Sequence, residues 1–450
     1  MPPRSPVPSK KPNPILPTRN KIASRRVSLS DKYFKYLGVG LSENIKPIHA
    51  SPNNALPLHG WAPYIQGFSA KFVEECLHEH KLKEDIRVLD PFVGNGTVAL
   101  VSKWGGVASC GIECNPLLYF IARTKSEAHL ADIDLFKKWA GKVLRNTKRA
   151  SAPDFLATKN QFSAKSLESL EKIKGGIDSI TASNAREKRA KNLLRLALSA
   201  ILIHSSRLVR TPCLTYRPSK RVNGEDVRRY FHEKTNQMIW DIEHLQKKPA
   251  RYRKVPCEIR RENSISLKHD SKYDLVITSP PYMNGMDYII NYKIEMSWLD
   301  FVESQKELKK IKDNMVACDN VSRSLARNYN GTSPNEWVDD IRNRVADSIR
   351  NRGFYRRDDM PDIINKYFHD MKKALKHIAD ALLPGGKIIM VVGDSLIAGV
   401  HVPTDLILAR ICMDDSGLSV QRIEKARNRR SGQQRNYLLR ETVLVIEKPV

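Results

Sequence analysis

The chain has 450 residues, 76 of them Lys or Arg and 49 Asp or Glu, for a formal charge of +27, with 41% hydrophobic and 28% charged residues. That is globular composition on a chain long enough to bury a sizeable core, which excludes a small stapled scaffold. No apolar run approaches the roughly 18 residues of a membrane span. The opening MPPRSPVPSKKPNPILPTRN carries positive residues with no apolar stretch behind them, so a cytoplasmic protein with no membrane partner is expected. Seven scattered cysteines (Cys76, Cys110, Cys114, Cys213, Cys257, Cys318, Cys412) form no C-x-x-C pair, and His78 and His80 lack a third ligand. Neither a disulfide framework nor a metal site is expected. The basic balance points to a polyanion partner, nucleic acid before a membrane surface.

Residues 1–30 hold seven prolines among Lys and Arg and read as a disordered basic arm. FSAKFVEECLHEH (68–80) sets Phe68, Phe72, Val73, Cys76 and Leu77 on one helical stripe. IRVLD (86–90) is a short apolar run that enters a tight loop at Pro91, TVALVSKWG resumes a helical period, and GVASCGIE is a second strand ending at Glu113. Strand, loop, helix, strand begins a doubly wound, Rossmann-like α/β sheet. The sequence then turns helical and basic over 131–254, with LLRLALSAILIHSSRLV (193–209) as its strongly apolar helix. The sheet pattern resumes at YDLVITSPPY (273–282), breaks again over a second helical insertion at 291–369, and returns as GGKIIMVVGDS (385–395) and ETVLVIEK (441–448). One sheet domain drawn from 55–130, 255–290 and 370–450 is therefore expected, split by two insertions, the first a possible target-recognition unit.

DPFVGNGT (90–97) and TSPPY (278–282) each follow a strand, so both belong at the carboxyl edge of the sheet, where open α/β folds bind ligands. Gly94 and Gly96 allow close backbone approach to a ligand. The loop is neither a Walker A motif nor a full G-x-G-x-x-G, which disfavours a phosphate cradle. Glu113 lies 23 residues after Asp90, a spacing that suits a carboxylate accepting ribose hydroxyls.

With these segments on view, the chain resembles the S-adenosylmethionine-dependent DNA amino-methyltransferases, which methylate cytosine N4 or adenine N6. DPFVGNGT is similar to the family's cofactor loop, TSPPY to its catalytic motif, and HGWAPYIQGFSAKFVEECL (59–77) to the segment that holds the methionine part of the cofactor. The resemblance covers about 40% of the chain. It implies S-adenosylmethionine as cofactor, held by Tyr64, Gly67, Asp90, Phe92, Gly94, Gly96, Thr97, Glu113 and, at the adenine, Asn263. It implies Ser279, Pro280, Pro281 and Tyr282 as catalytic residues: the Ser279 hydroxyl and Pro280 carbonyl accept the amine N–H groups, and Tyr282 stacks on a flipped base. Asp287 and Tyr288 are candidates for the wall of the base pocket, with helix capping as the alternative for Asp287. The serine form of the motif is the one usual in cytosine-N4 enzymes. Double-stranded DNA is the expected partner, with a cognate restriction endonuclease beside it.

RIEKARNRRSGQQRNYLLRE (422–441) carries seven Lys or Arg and reads as a basic loop before the final strand, with Arg427, Arg429, Arg430 and Arg435 gripping phosphate. TYRPSKRVNGEDVRRYFHEK (215–234) mixes basic and aromatic residues and reads equally as a target-reading surface or a helical cap. The rivals are an adenine-N6 enzyme, a tRNA amino-methyltransferase and an inactive nucleic-acid-binding protein. Cytosine-C5 chemistry needs a Pro-Cys nucleophile, and neither Cys213 nor Cys257 stands in the loop after the DLVIT strand.

Overall fold

The computed structural model describes residues 33–430 and 437–450, except 63, 65, 66, 81–84, 157, 211, 212, 268–271, 284, 286, 319, 320, 328–331, 353, 354 and 356; the side chains of 158, 159 and 430 are also left aside. The expected basic arm, the Arg430 side chain and Arg435 lie outside the described residues.

The strands are β1 (Leu41–Glu43), β2 (Arg87–Asp90), β3 (Ala108–Ile112), β4 (Leu208–Arg210), β5 (Leu214–Tyr216), β6 (Cys257–Arg260), β7 (Tyr273–Thr278), β8 (Leu382–Gly393), β9 (Ser395–Ile397), β10 (Val400–Val402), β11 (Ser419–Arg430) and β12 (Leu438–Glu447). Eight of them form one sheet in the order β1-β11-β12-β8-β7-β2-β3-β6. All pairings are parallel except those of β12, which runs antiparallel to both β8 and β11. From β2 the chain winds outward through β3 to β6, then returns to β7 on the other side of β2. The fold is therefore doubly wound and Rossmann-like, with its topological switch point between β2 and β7.

Strand residues alternate between two cores, as a pleated strand requires. Val88, Leu275, Ile277, Ile389, Val391, Val443 and Val445 face α1 (Ala70–His80) and α2 (Thr97–Trp104), meeting Phe72, Val73, Cys76, Val98 and Val101. A third layer begins beyond α2. Helices α3 (Pro116–Ser126), α4 (Ile133–Arg145), α5 (Ala164–Asp178), α6 (Ala185–Ile201), α7 (Gly224–Gln246), α8 (Tyr288–Trp298) and α9 (Gln305–Asp313) share a core of their own around Phe136, Leu194, Leu198, Phe231 and Trp298. The opposite sheet face, with Leu89, Val276, Ile388, Met390, Leu444 and Ile446, packs on α10 (Glu336–Arg352), α11 (Met360–Ala381) and α12 (Thr404–Ser416). Residues 291–369 thus do not pack as one insertion. Ile294, Trp298 and Leu308 join the helical bundle, whereas Val316, Trp337, Val338 and Ile341 join the sheet core.

Two local readings change. The apolar helix expected over 193–209 stops at Ile201, because Ser206 Oγ takes the Leu208 amide at 3.0 Å and the Gln161 carbonyl takes the Arg207 amide at 2.7 Å, turning the chain into β4. The expected basic loop over 422–441 is instead mostly two long strands. Its charges are met by neighbouring elements: Lys425 by Glu43 of β1 at 2.7 Å, Arg422 by the helical Glu79 at 2.6 Å, and Glu424 by Lys46 beyond β1 at 3.0 Å.

Candidate active site

The site grows from the carboxyl ends of β2, β3 and β7. Asp90 ends β2 fully buried and accepts the Thr278 hydroxyl at 2.8 Å and the Phe92 amide at 3.1 Å, tying the two strands together across the switch point. Burial outweighs these bonds and pushes its carboxyl up to about 7. The glycine loop that follows needs backbone only glycine adopts readily: φ is 50° at Gly94 and 89° at Gly96. Gly96 caps α2, and a Cβ there would meet Ala122 at 3.3 Å. The Gly94 amide donates to Glu113 Oε2 at 3.1 Å, and Glu113 Oε1 accepts the Asn115 amide at 2.8 Å. Desolvation again dominates, raising Glu113 to about 7.

Between these strand ends lies a small, mainly apolar pocket. Tyr64, Phe92, Glu113, Asn263, Ser279, Pro281 and Tyr288 line it, with Ile112, Leu118, Ser264, Met315 and Val316 supplying much of the rest. The Asn263 amide is turned aside: it donates to the Asn314 carbonyl at 2.5 Å, while its oxygen accepts the Ile265 amide at 3.1 Å.

Tyr64 stacks on Tyr288 with ring centroids 5.9 Å apart and on Tyr292 at 6.4 Å, and it fills the space a side chain at Gly94 or Gly67 would need. Arg210 covers the Tyr292 ring at 4.5 Å and pairs with buried Glu295 at 2.6 Å, which anchors the β4–β5 hairpin beside the site. Lys125, buried in α3, donates to Asn95 Oδ1 of the glycine loop at 2.6 Å and to the His59 carbonyl at 3.4 Å.

The Ser-Pro-Pro-Tyr loop is clamped from two sides. Tyr367 of α11 donates to the Pro281 carbonyl at 3.0 Å. Tyr282 turns away from the cavity and donates to Glu441 Oε1 of β12 at 3.2 Å; burial beside that carboxylate pushes its phenol well up. Glu441 in turn pairs with Arg427. Asp287 caps α8 through the Ile290 amide at 2.9 Å.

Of the residues expected at the cofactor and the catalytic centre, Tyr64, Phe92, Glu113, Asn263, Ser279 and Pro281 come together around the cavity. Gly67, Asp90, Gly94, Gly96, Thr97 and Pro280 are not among the residues that line it. Tyr282 is committed to Glu441 and the end of β8. Of the expected phosphate contacts, Arg427 pairs with Glu441, and Arg429 contacts the Asp394 carbonyl and the Tyr282 ring. Tyr367 and Glu441 escaped sequence reading, since each acts through a contact between segments far apart in the chain. Among the described residues, no group of three or more His, Cys, Asp or Glu is placed to hold a metal, and no helix is long and apolar enough to cross a membrane.

A glycine loop and a Ser-Pro-Pro-Tyr loop meeting at the switch point of a doubly wound sheet define an α/β protein with a small-molecule site at its carboxyl edge. The relatives give that class a sharper outline. The Type II methyltransferase M.BsoBI of Geobacillus stearothermophilus is 21% identical over 94% of this chain and 92% of its own length. M.AvaI of Nostoc sp. is 25% identical over 84% and 82%, and M.MvaI of Kocuria varians 20% over 86% and 85%; both are also Type II methyltransferases. No family model matches the chain. Among solved structures, TrmN from Thermus thermophilus aligns at 11% identity with a TM-score of 0.32, over 88% of this chain and 52% of that one.

Proposed function

We propose that the chain is a DNA methyltransferase that transfers a methyl group from S-adenosylmethionine to the exocyclic amine of a flipped base, cytosine N4 in particular. One observation carries the reading: Ser279 lines the same cavity as Glu113 and Phe92, so a group that accepts amine N–H bonds borders the ligand cavity. The near full-length likeness to Type II methyltransferases supports it, and a cognate restriction endonuclease belongs to the same reading.

The chemistry of the lining suits the cofactor. Glu113 offers a buried carboxylate for the ribose hydroxyls, Phe92, Ile112 and Val316 offer apolar walls for the adenine, and Tyr64 and Tyr288 close the methionine side. When bound, S-adenosylmethionine supplies an electrophilic methyl group on a sulfonium. The remaining work is positional. The target amine is a poor nucleophile because its lone pair is conjugated with the ring. Ser279 Oγ and the Pro280 carbonyl accept its two N–H bonds, pyramidalise the nitrogen and turn the lone pair toward the cavity. The two prolines hold that geometry and remove competing donors, and Tyr367 fixes the carbonyl that follows.

The test is nucleoside mass spectrometry on methyl-free amplified genomic DNA, and on tRNA, after incubation with isotope-labelled S-adenosylmethionine. N4-methylcytosine in DNA is the expected product. N6-methyladenine would correct the base, and label confined to tRNA would overturn the DNA reading.

A further inference from the structure

Arg429 stands in a run of basic residues that reads as a phosphate clamp, yet its contacts face inward. It projects from β11 at the carboxyl edge of the sheet, donates to the Asp394 carbonyl just beyond β8, and sets its guanidinium 5.7 Å from the centroid of the Tyr282 ring. Its Nε is buried with no hydrogen-bond partner among the described residues, and none of their carboxylates pairs with it. The nearby Glu441 is already taken by Arg427 and Tyr282. Gly393 lies bare beneath: a Cβ there would come within 2.7 Å of the Tyr282 ring and 3.2 Å of Arg429 Nε. Neither Tyr282 nor Arg429 is among the residues lining the cavity, and the pair stands beside the Ser279 loop.

We infer that Arg429 reads the ring edge of the target base, donating to N3 and O2 of a cytosine whose amine rests on Ser279 and Pro280. This rests on the proposed amino-methyl transfer to DNA. On cytosine the amine is followed around the ring by two acceptors, N3 and O2, which a planar guanidinium matches with two donors. On adenine the amine is followed by N1 and then a C–H, leaving one donor unmet. Arg429 is in this way a specificity residue, and the fork favours the pyrimidine.

R429Q and R429K test it on a duplex carrying the sequence at which the wild-type product maps. Both variants are expected to lose roughly 10- to 100-fold in kcat/KM, the scale of a good bidentate base contact. S-adenosylmethionine affinity, read by calorimetry, should hold within about twofold, which also shows that the variants fold. The salt dependence of DNA binding should keep its slope. A duplex whose target base lacks the 2-oxygen should slow the wild type by a similar factor and the variants little further. A slope reduced by about one contact, or full activity in R429K, would make Arg429 a phosphate contact and overturn the inference. Losses that simply add between analogue and variant would reduce it to a structural residue. N6-methyladenine as the wild-type product would sink the cytosine edge while leaving methyl transfer standing; no label in DNA would remove both.

Discussion

Asp241 Oδ2 accepts the Trp61 indole nitrogen at 2.5 Å and the Leu58 amide at 3.0 Å, so the long helix α7 holds the segment that leads to Tyr64. Lys234 of the same helix adds a bond to the Gly60 carbonyl at 3.1 Å, and Lys125 links this segment to Asn95. The helical bundle and the glycine loop are therefore mechanically joined. Asp241→Ala leaves two buried donors unmet, at a cost of about 1–3 kcal/mol. Denaturant unfolding should register that loss, and calorimetry should find S-adenosylmethionine bound about 10-fold more weakly, within the usual span of site-to-site coupling. Unchanged affinity in a folded variant would mean that the segment reaches its position without the helix.

Ser279→Ala removes one acceptor from the amine and nothing from the cavity walls that would hold the nucleoside. Methyl transfer should fall by at least about 100-fold with cofactor affinity nearly intact, as expected for a group that acts mainly in the transition state. Should cofactor binding fail alongside turnover, the loop has been assigned the wrong task.

Glu113 carries a pH prediction whose sign follows from its burial. Its folded carboxyl sits at about 7 against an ordinary 4.5, so it retains a proton that the unfolded chain has released. Its contribution to stability is complete below about 4.5 and is lost as pH rises through about 7. Ribose hydroxyls favour the ionised acceptor. S-adenosylmethionine affinity should therefore increase between about pH 6 and 8, and Glu113→Gln should flatten that dependence while making the folded chain more stable at pH 8. A wild-type affinity that does not vary across this interval would exclude Glu113 as the titrating group.

Arg427→Gln separates ion pairing from DNA contact. Because Glu441 holds this guanidinium, its removal releases no phosphate counterion, and the salt slope of DNA binding should not change. What should change is Tyr282: with the Glu441 charge uncompensated at the base of the catalytic loop, kcat should drop more than DNA affinity. A flatter salt slope in R427Q would return this residue to the phosphate backbone.

How much of this was readable from the chain depends on where each signal lies. IRVLD and DLVIT stood out because parallel strands buried on both faces form unbroken apolar runs, and each was followed by its loop motif. From that, the switch point and the meeting of Glu113 with Ser279 could be anticipated. β11 could not, since the charges that mark a loop are met on neighbouring elements, Lys425 by Glu43 and Arg427 by Glu441. Asp90 belonged to the expected cofactor set, but its partner is Thr278 on the adjacent strand, a pairing no local spacing announces. Tyr367 looks like any other apolar-stripe residue of α11 until its hydroxyl meets Pro281.

The antiparallel strand β12 threads between β8 and β11, which precede it in the chain. Until residues 438–447 pair, β8 and β11 are therefore two strands that each lack a neighbour, with their amide and carbonyl rows open to any other extended chain. Until residues 438–447 arrive, Tyr282 also lacks its carboxylate. Recovery of active protein on refolding then depends on β12 closing this gap before another extended chain enters it.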